Sequence, residues 1–97
     1  MVIITKSKII EFYTTETKAK EPLLLWYNAV LMSDWENFHN VKQTFNSVDS
    51  IGNDRYVFNV GGNKYRIVEM IHFNKRTIYL RFIGTHKQYD KIDCKSI

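Results

Sequence analysis

The sequence predicts an α+β fold, a small antiparallel sheet with an N-terminal strand and two to three helices packed on one face. Three observations carry this expectation. The first half places apolar residues at helical spacing, the second half switches to an alternation of period two, and the alternating runs are separated by turns too short for a crossover. At 97 residues, 44% hydrophobic and 25% charged, the chain has the size of one domain with a modest core.

The opening "MVIIT" is short, β-branched and apolar, as a first strand should be. "SKIIEFYTTE" then sets Ile9, Phe12 and Tyr13 on one helical face, with Thr5 or Ser7 available as its cap. After the charged break "KAKE", Pro22 suits a first helical turn. Leu23, Trp26, Tyr27, Val30 and Leu31 follow at i, i+3, i+4, i+7 and i+8, the stripe of a helix packed on a core. Trp35, Phe38 and Phe45 point to a further short helix over "WENFHNVKQTF", and "SDWE" has the spacing of a capping box. From residue 55 come "RYVFNV", "KYRIVEMI" and "TIYLRFI", with "GGN" and "NK" at the turns, which makes three antiparallel strands.

Strand alternation sorts these residues into two faces. A two-residue turn at Asn74-Lys75 pairs Val68 with Arg81 and Arg66 with Ile83. A turn at Gly61-Gly62 or Gly62-Asn63 sets Asn59 and Val57 on the face of Lys64 and Arg66. One face then carries Tyr56, Phe58, Val60, Tyr65, Ile67, Ile71, Ile78, Leu80 and Phe82 and is the core. The other carries Arg55, Asn59, Lys64, Arg66, Tyr79 and Arg81. Glu69 falls on the apolar side, where an edge position or a local partner is expected for it. The cationic side has two readings, a solvated polar face or a surface for a polyanion.

Charge is compatible with the second reading but does not decide it. The net charge is +4, with five Lys/Arg against six Asp/Glu in residues 1–50 and nine against four in residues 51–97. The longest apolar run, "PLLLWYNAVLM", is well short of the ~20 residues that span a bilayer, and the N-terminus lacks the order of a signal peptide, so the chain reads as cytoplasmic and without membrane contact. One cysteine, Cys94, excludes an internal disulfide. His39, His72 and His86 show no metal-ligand spacing, and neither a GxSxG elbow nor a phosphate-binding glycine loop occurs, so no metal or cofactor is expected.

"RYVFNVGGNKYRIV" followed by "LRFIGTHKQYDKI" resembles the signature of the HigB-type toxins of bacterial toxin-antitoxin pairs, within the RelE-like superfamily. The resemblance extends to "LLLWYNAV" and "SVDSIGNDRYVF". It implies a small antiparallel sheet with two helices on one face. It also implies an endoribonuclease that cuts messenger RNA in the decoding site of the ribosome, silenced in a hetero-oligomer by a HigA-type antitoxin bearing a helix-turn-helix domain.

Metal-independent cleavage of RNA uses the adjacent 2′-hydroxyl as nucleophile. It needs one group to take that proton, one to protonate the leaving 5′-oxygen, and cations beside the phosphate. The expected catalytic set is His86, Tyr89, Arg66, Arg81 and Lys64. His86 transfers protons, with base and acid left unassigned. Arg66 and Arg81 grip phosphate oxygens in a planar fork, and Lys64 adds a compact charge. Tyr89 stacks on a base, shares proton transfer, or simply packs the C-terminal turn. The candidate RNA contacts are Asn63, Arg55, Asn59, Tyr79, Lys87 and Lys91, with Lys95 also facing phosphates or only water. Asp90 reads as a cap or salt-bridge partner, Thr85 as a turn residue. Two other functions remain open at this point: a ParE-like gyrase poison that cuts nothing, and an RNA-binding module without catalysis.

Overall fold

The computed structural model describes residues 1–94 and 96–97. Its elements in chain order are β1 (Val2–Ile4), α1 (Lys6–Thr15), α2 (Lys20–Leu31), α3 (Phe38–Thr44), β2 (Asp49–Gly52), β3 (Arg55–Val60), β4 (Tyr65–His72), β5 (Thr77–Thr85) and α4 (His86–Tyr89). The sheet order is β1-β5-β4-β3-β2. Strands β2 to β5 form an antiparallel meander, and β1 adds to β5 in parallel, Ile3 beside Ile78, so the α+β fold carries a mixed sheet. Among the described residues no helix is long and apolar enough to cross a membrane.

The apolar stripes of the helices meet the sheet as their spacing requires. Ile9 from α1, Leu23, Trp26 and Val30 from α2, and Val41 from α3 are buried against Tyr56, Phe58, Val60, Tyr65, Ile67, Ile71, Ile78 and Leu80. Phe58 is the hub. Trp26 and Phe45 meet it edge-on with centroids 5.5 Å away, and Trp35 stacks at 6.3 Å. Pro22 lies in the first turn of α2.

Helix caps differ from expectation. Thr5 precedes α1 in a left-handed conformation, φ 72°, and its side chain makes no cap bond; neither does Ser7, which lies inside the helix. The cap of α3 is Asn37, whose Oδ1 accepts from Asn40 N at 3.0 Å, while Asn40 Oδ1 accepts from Glu36 N at 2.9 Å. The "SDWE" residues form no capping box because α3 begins only at Phe38, and the two acids reach Arg76 instead, Asp34 at 2.6 Å and Glu36 at 3.7 Å.

The strand registers decide which residues share a face. Gly61, Gly62 and Asn63 all take positive φ, and Val60 pairs with Tyr65, so the first hairpin has the register of a turn at Gly62-Asn63. A further strand, β2, extends the sheet through an Asn53-Asp54 turn with φ of 55° and 60°. In the β4–β5 hairpin the expected register holds from His72–Thr77 to Glu69–Leu80. It then breaks at a β-bulge, after which Val68 pairs with Phe82 and Arg66 with Gly84. The expected pairs Val68–Arg81 and Arg66–Ile83 therefore do not form. Arg81 is the extra residue of the bulge, left opposite no partner on β4, and beyond it alternation reverses. Ile83 packs on the core, and Phe82 moves to the outer side beside Tyr89.

Glu69 is at neither an edge nor an ion pair. It stands on the core side of β4 between Tyr56 and Leu80, fully buried, and neither carboxylate oxygen has a hydrogen-bond partner. Burial holds its carboxyl well above the usual carboxylate range.

Candidate functional site

The outer face of the sheet gathers its polar residues at one end. Arg66 lies on β4 between Asn59 on β3 and Gly84 on β5. One edge of its guanidinium donates from Nη1 to Asn59 Oδ1, while Nε is buried with no hydrogen-bond partner. Gly84 opens the space on the other side. A Cβ there would come within 2.6 Å of both Gln88 Oε1 and Phe82 Cζ, so the missing side chain lets the next turn of chain fold down against β4.

That turn is α4, started by a reciprocal cap. Thr85 Oγ1 accepts from Gln88 N at 3.2 Å, and Gln88 Oε1 accepts from Thr85 N at 2.8 Å. The T-x-x-Q spacing signals this in the sequence, where Thr85 reads only as a turn residue. The amide of His86 donates to the main-chain oxygen of Lys64 at 3.3 Å, which ties α4 to the hairpin tip carrying Asn63 and Lys64. His86 Nδ1 lies 3.1 Å from Asp90 Oδ2, one helical turn on, both side chains about half exposed.

One turn after His86, Tyr89 lays its ring against Arg66, whose guanidinium carbon is 5.4 Å from the centroid. Its hydroxyl donates to Cys94 Sγ at 3.4 Å. Burial first, then the bond to Cys94, push the Tyr89 hydroxyl up to about 12, against an opposing pull from Arg66. Asp49 on β2 also acts on Tyr89 by its charge, a carboxylate beside the site that sequence reading missed because β2 itself was missed.

Arg66, Asn59 and Tyr89 thus meet side by side, and the main-chain bond from His86 to Lys64 sets the start of α4 beside the hairpin tip that carries Asn63 and Lys64. Arg81 does not join them. It lies three residues from Gly84 along β5, about 10 Å away at the rise of a strand, and borders a groove with Lys8, Glu11 and Phe12 of α1. Tyr79 is further still and meets His72 edge-on at 5.1 Å. Arg55 donates to the main-chain oxygens of Ile97, at 2.9 Å from Nε, and of Asn53, at 2.8 Å. Lys87 is exposed on α4, and Lys91 lines a groove with Phe12 and Glu16 on the α1 side. Lys95 lies outside the described residues.

The outer face is also less open than alternation implies. Val57 and Val68 on it are buried, and on this side Tyr89 bonds to Cys94 and Arg55 to the main-chain oxygen of Ile97. Asn63 and Lys64 at the β3–β4 tip and His86, Lys87 and Asp90 in and after α4 remain exposed and form an open rim. Among the described residues, no three His, Cys, Asp or Glu side chains assemble as metal ligands.

A mixed five-stranded sheet that takes in the N-terminal strand and packs α1, α2 and α3 on one face is the build of a small RelE-like domain. A family described as the HigB toxin, "RelE-like toxic component of a toxin-antitoxin system", matches residues 19–92. The "mRNA interferase toxin HigB" of Escherichia coli (strain K12) is 32% identical over 92 residues, covering 93% of this chain and 88% of that relative. The "mRNA interferase HigB" proteins of Escherichia coli O157:H7 and Shigella flexneri match at the same identity and coverage. The chain belongs to the HigB toxin family.

Proposed function

We propose that the chain is the toxin of a bacterial type II toxin-antitoxin pair and a metal-independent endoribonuclease that cuts messenger RNA on the ribosome, held silent by a HigA-type helix-turn-helix antitoxin. The observation that carries this reading is the Arg66 guanidinium held against the Tyr89 ring, on the turn that carries His86 and is tied by a main-chain bond to Lys64 at the hairpin tip. These side chains offer the proton-transfer groups and the fixed positive charge that 2′-hydroxyl attack on a phosphodiester uses. The names of the relatives, each an mRNA interferase, support the choice of substrate.

In this reading the scissile phosphate sits over the free side of Arg66 with Lys64 beside it, so that charge developing on the non-bridging oxygens meets fixed positive charge. The Tyr89 ring and Asn59 hold the guanidinium in orientation from two sides. Tyr89 exchanges its hydrogen bond to Cys94 for one to the leaving 5′-oxygen and serves as the proton donor there. His86 is left to take the 2′-proton. Asn63 and Lys87 flank the rim and hold neighbouring nucleotides. An open rim suits a polymer that arrives already held by a ribosome. Arg81, Arg55 and Tyr79 take no part in bond breaking in this reading; Arg81 and Lys91, exposed beside α1, contact ribosomal phosphates in it.

The test is a translation extract supplied with purified protein and a defined message, with 5′ ends mapped by primer extension. New ends confined to translated stretches, and lost when initiation is blocked, are expected. An intact message with normal translation sinks the endonuclease reading, and inhibition of gyrase supercoiling by the same protein would then favour a ParE-like poison.

A further inference from the structure

We propose that Asp90 is the positioning residue of His86, fixing the imidazole with its proton on Nδ1 so that Nε2 is the basic nitrogen presented at the rim. The inference rests on the endonuclease reading and deepens it by assigning the base. A carboxylate has no hydrogen to give, so the 3.1 Å contact between Nδ1 and Asp90 Oδ2 is made only when Nδ1 carries the hydrogen. In the neutral ring the lone pair is then on Nε2, the state a general base needs.

The backbone fixes the pair without help from the core. His86 is the first residue of α4 and Asp90 its C-cap, one turn apart, so the two side chains share a face. The amide of Asp90 donates to the main-chain oxygen of His86 at 3.0 Å, and the Thr85–Gln88 cap locks the start of the same turn. Tyr89, between them, is anchored to Arg66 and Cys94. One turn of helix thus aims a base whose tautomer is already set, next to the phosphate-binding arginine.

In the cleavage step the 2′-hydroxyl gives its proton to Nε2, leaving an imidazolium that Asp90 stabilises through Nδ1. O2′ bonds to phosphorus as the P–O5′ bond breaks, and O5′ takes a proton from the Tyr89 hydroxyl. The products are a 2′,3′-cyclic phosphate and a 5′-hydroxyl, with no external oxidant or reductant. Loss of the carboxylate should leave RNA binding unchanged and slow the chemistry.

Asp90→Asn and Asp90→Glu provide the test. The amide introduced by Asp90→Asn offers Nδ1 a donor as readily as an acceptor, which permits the opposite tautomer, whereas the carboxylate of Asp90→Glu restores the acceptor. In long-range proton–nitrogen spectra of labelled protein at a pH where the ring is neutral, wild-type His86 should show the Nδ1–H pattern, and Asp90→Asn a shift towards Nε2–H. In the translation extract the maximal cleavage rate of Asp90→Asn should fall by roughly 10- to 100-fold, the protein concentration at half-maximal cleavage should stay within about 3-fold of wild type, and Asp90→Glu should recover part of the rate. Wild-type cleavage by Asp90→Asn, or an Nε2–H ring in the wild-type protein, overturns the assignment. If the wild-type protein leaves RNA uncut, the endonuclease reading and the base role fall together, and the spectra still decide whether Asp90 orients the ring.

Discussion

Glu69 should make the protein lose stability as pH rises through the range where most carboxylates are already ionised. Its carboxyl is fully buried on the core side of β4 with neither oxygen hydrogen-bonded, and burial raises its proton affinity in the folded state. In the unfolded chain the same group ionises near the ordinary value of about 4.3. Between that value and the raised folded one, the unfolded state binds fewer protons than the folded state. Each pH unit in the window therefore costs about 1.4 kcal/mol of folding stability. Glu69→Gln keeps the shape and removes the titration, so other ionisable groups cancel in the difference between the two proteins. Urea unfolding of both at pH 5, 6 and 7 is the assay. The variant's advantage should grow from pH 5 to pH 7, by at most about 1.4 kcal/mol per unit. Equal differences at the three pH values would show that Glu69 is paired or solvated and refute the reasoning.

Other outcomes follow from the geometry. Phe58→Ala, which empties the space between Trp26, Trp35 and Phe45, should cost about 3–5 kcal/mol in urea unfolding. Gly84→Ala sets a methyl 2.6 Å from Gln88 and Phe82. It should cost about 1–3 kcal/mol and reduce cleavage in the translation extract further than the unfolded fraction explains, because the α4 cap is disturbed. Arg66→Ala should slow cleavage by roughly 100- to 1,000-fold with its circular dichroism unchanged, and Arg66→Lys should not restore it, since an ammonium lacks the planar fork.

The helices and the core face were readable because their signals are local and redundant: the Leu23-to-Leu31 stripe and the "RYVFNV" alternation each repeat one message several times. The bulge was not. Nothing in "TIYLRFI" distinguishes a continuous strand from one that yields Arg81 to a bulge, and either Phe82 or Ile83 satisfies an apolar position. The register that removes Arg81 from Arg66 is set by pairing with β4 and by the fit of α4 over Gly84. The β2 strand was missed because its outward positions are polar, although the "GND" turn after it marks a hairpin. At the site, the chemical types of His86, Tyr89, Arg66 and Lys64 were legible, but their placement depends on the register past the bulge, the fit of α4 over Gly84 and the main-chain bond from His86 to Lys64. The contact of Asp90 with the imidazole fits the sequence spacing, yet its direction, to Nδ1, exists only in three dimensions.

The central claim is that the rim of α4 and the β3–β4 hairpin cuts messenger RNA by 2′-hydroxyl attack. Its most direct measurement is the chemistry of the ends made in a translating extract. Wild-type protein should leave a 2′,3′-cyclic phosphate on the upstream fragment and a 5′-hydroxyl on the downstream one, and His86→Ala, still folded and still bound by antitoxin, should leave the message whole. A 3′-hydroxyl paired with a 5′-phosphate, or undiminished cutting by His86→Ala, would contradict it.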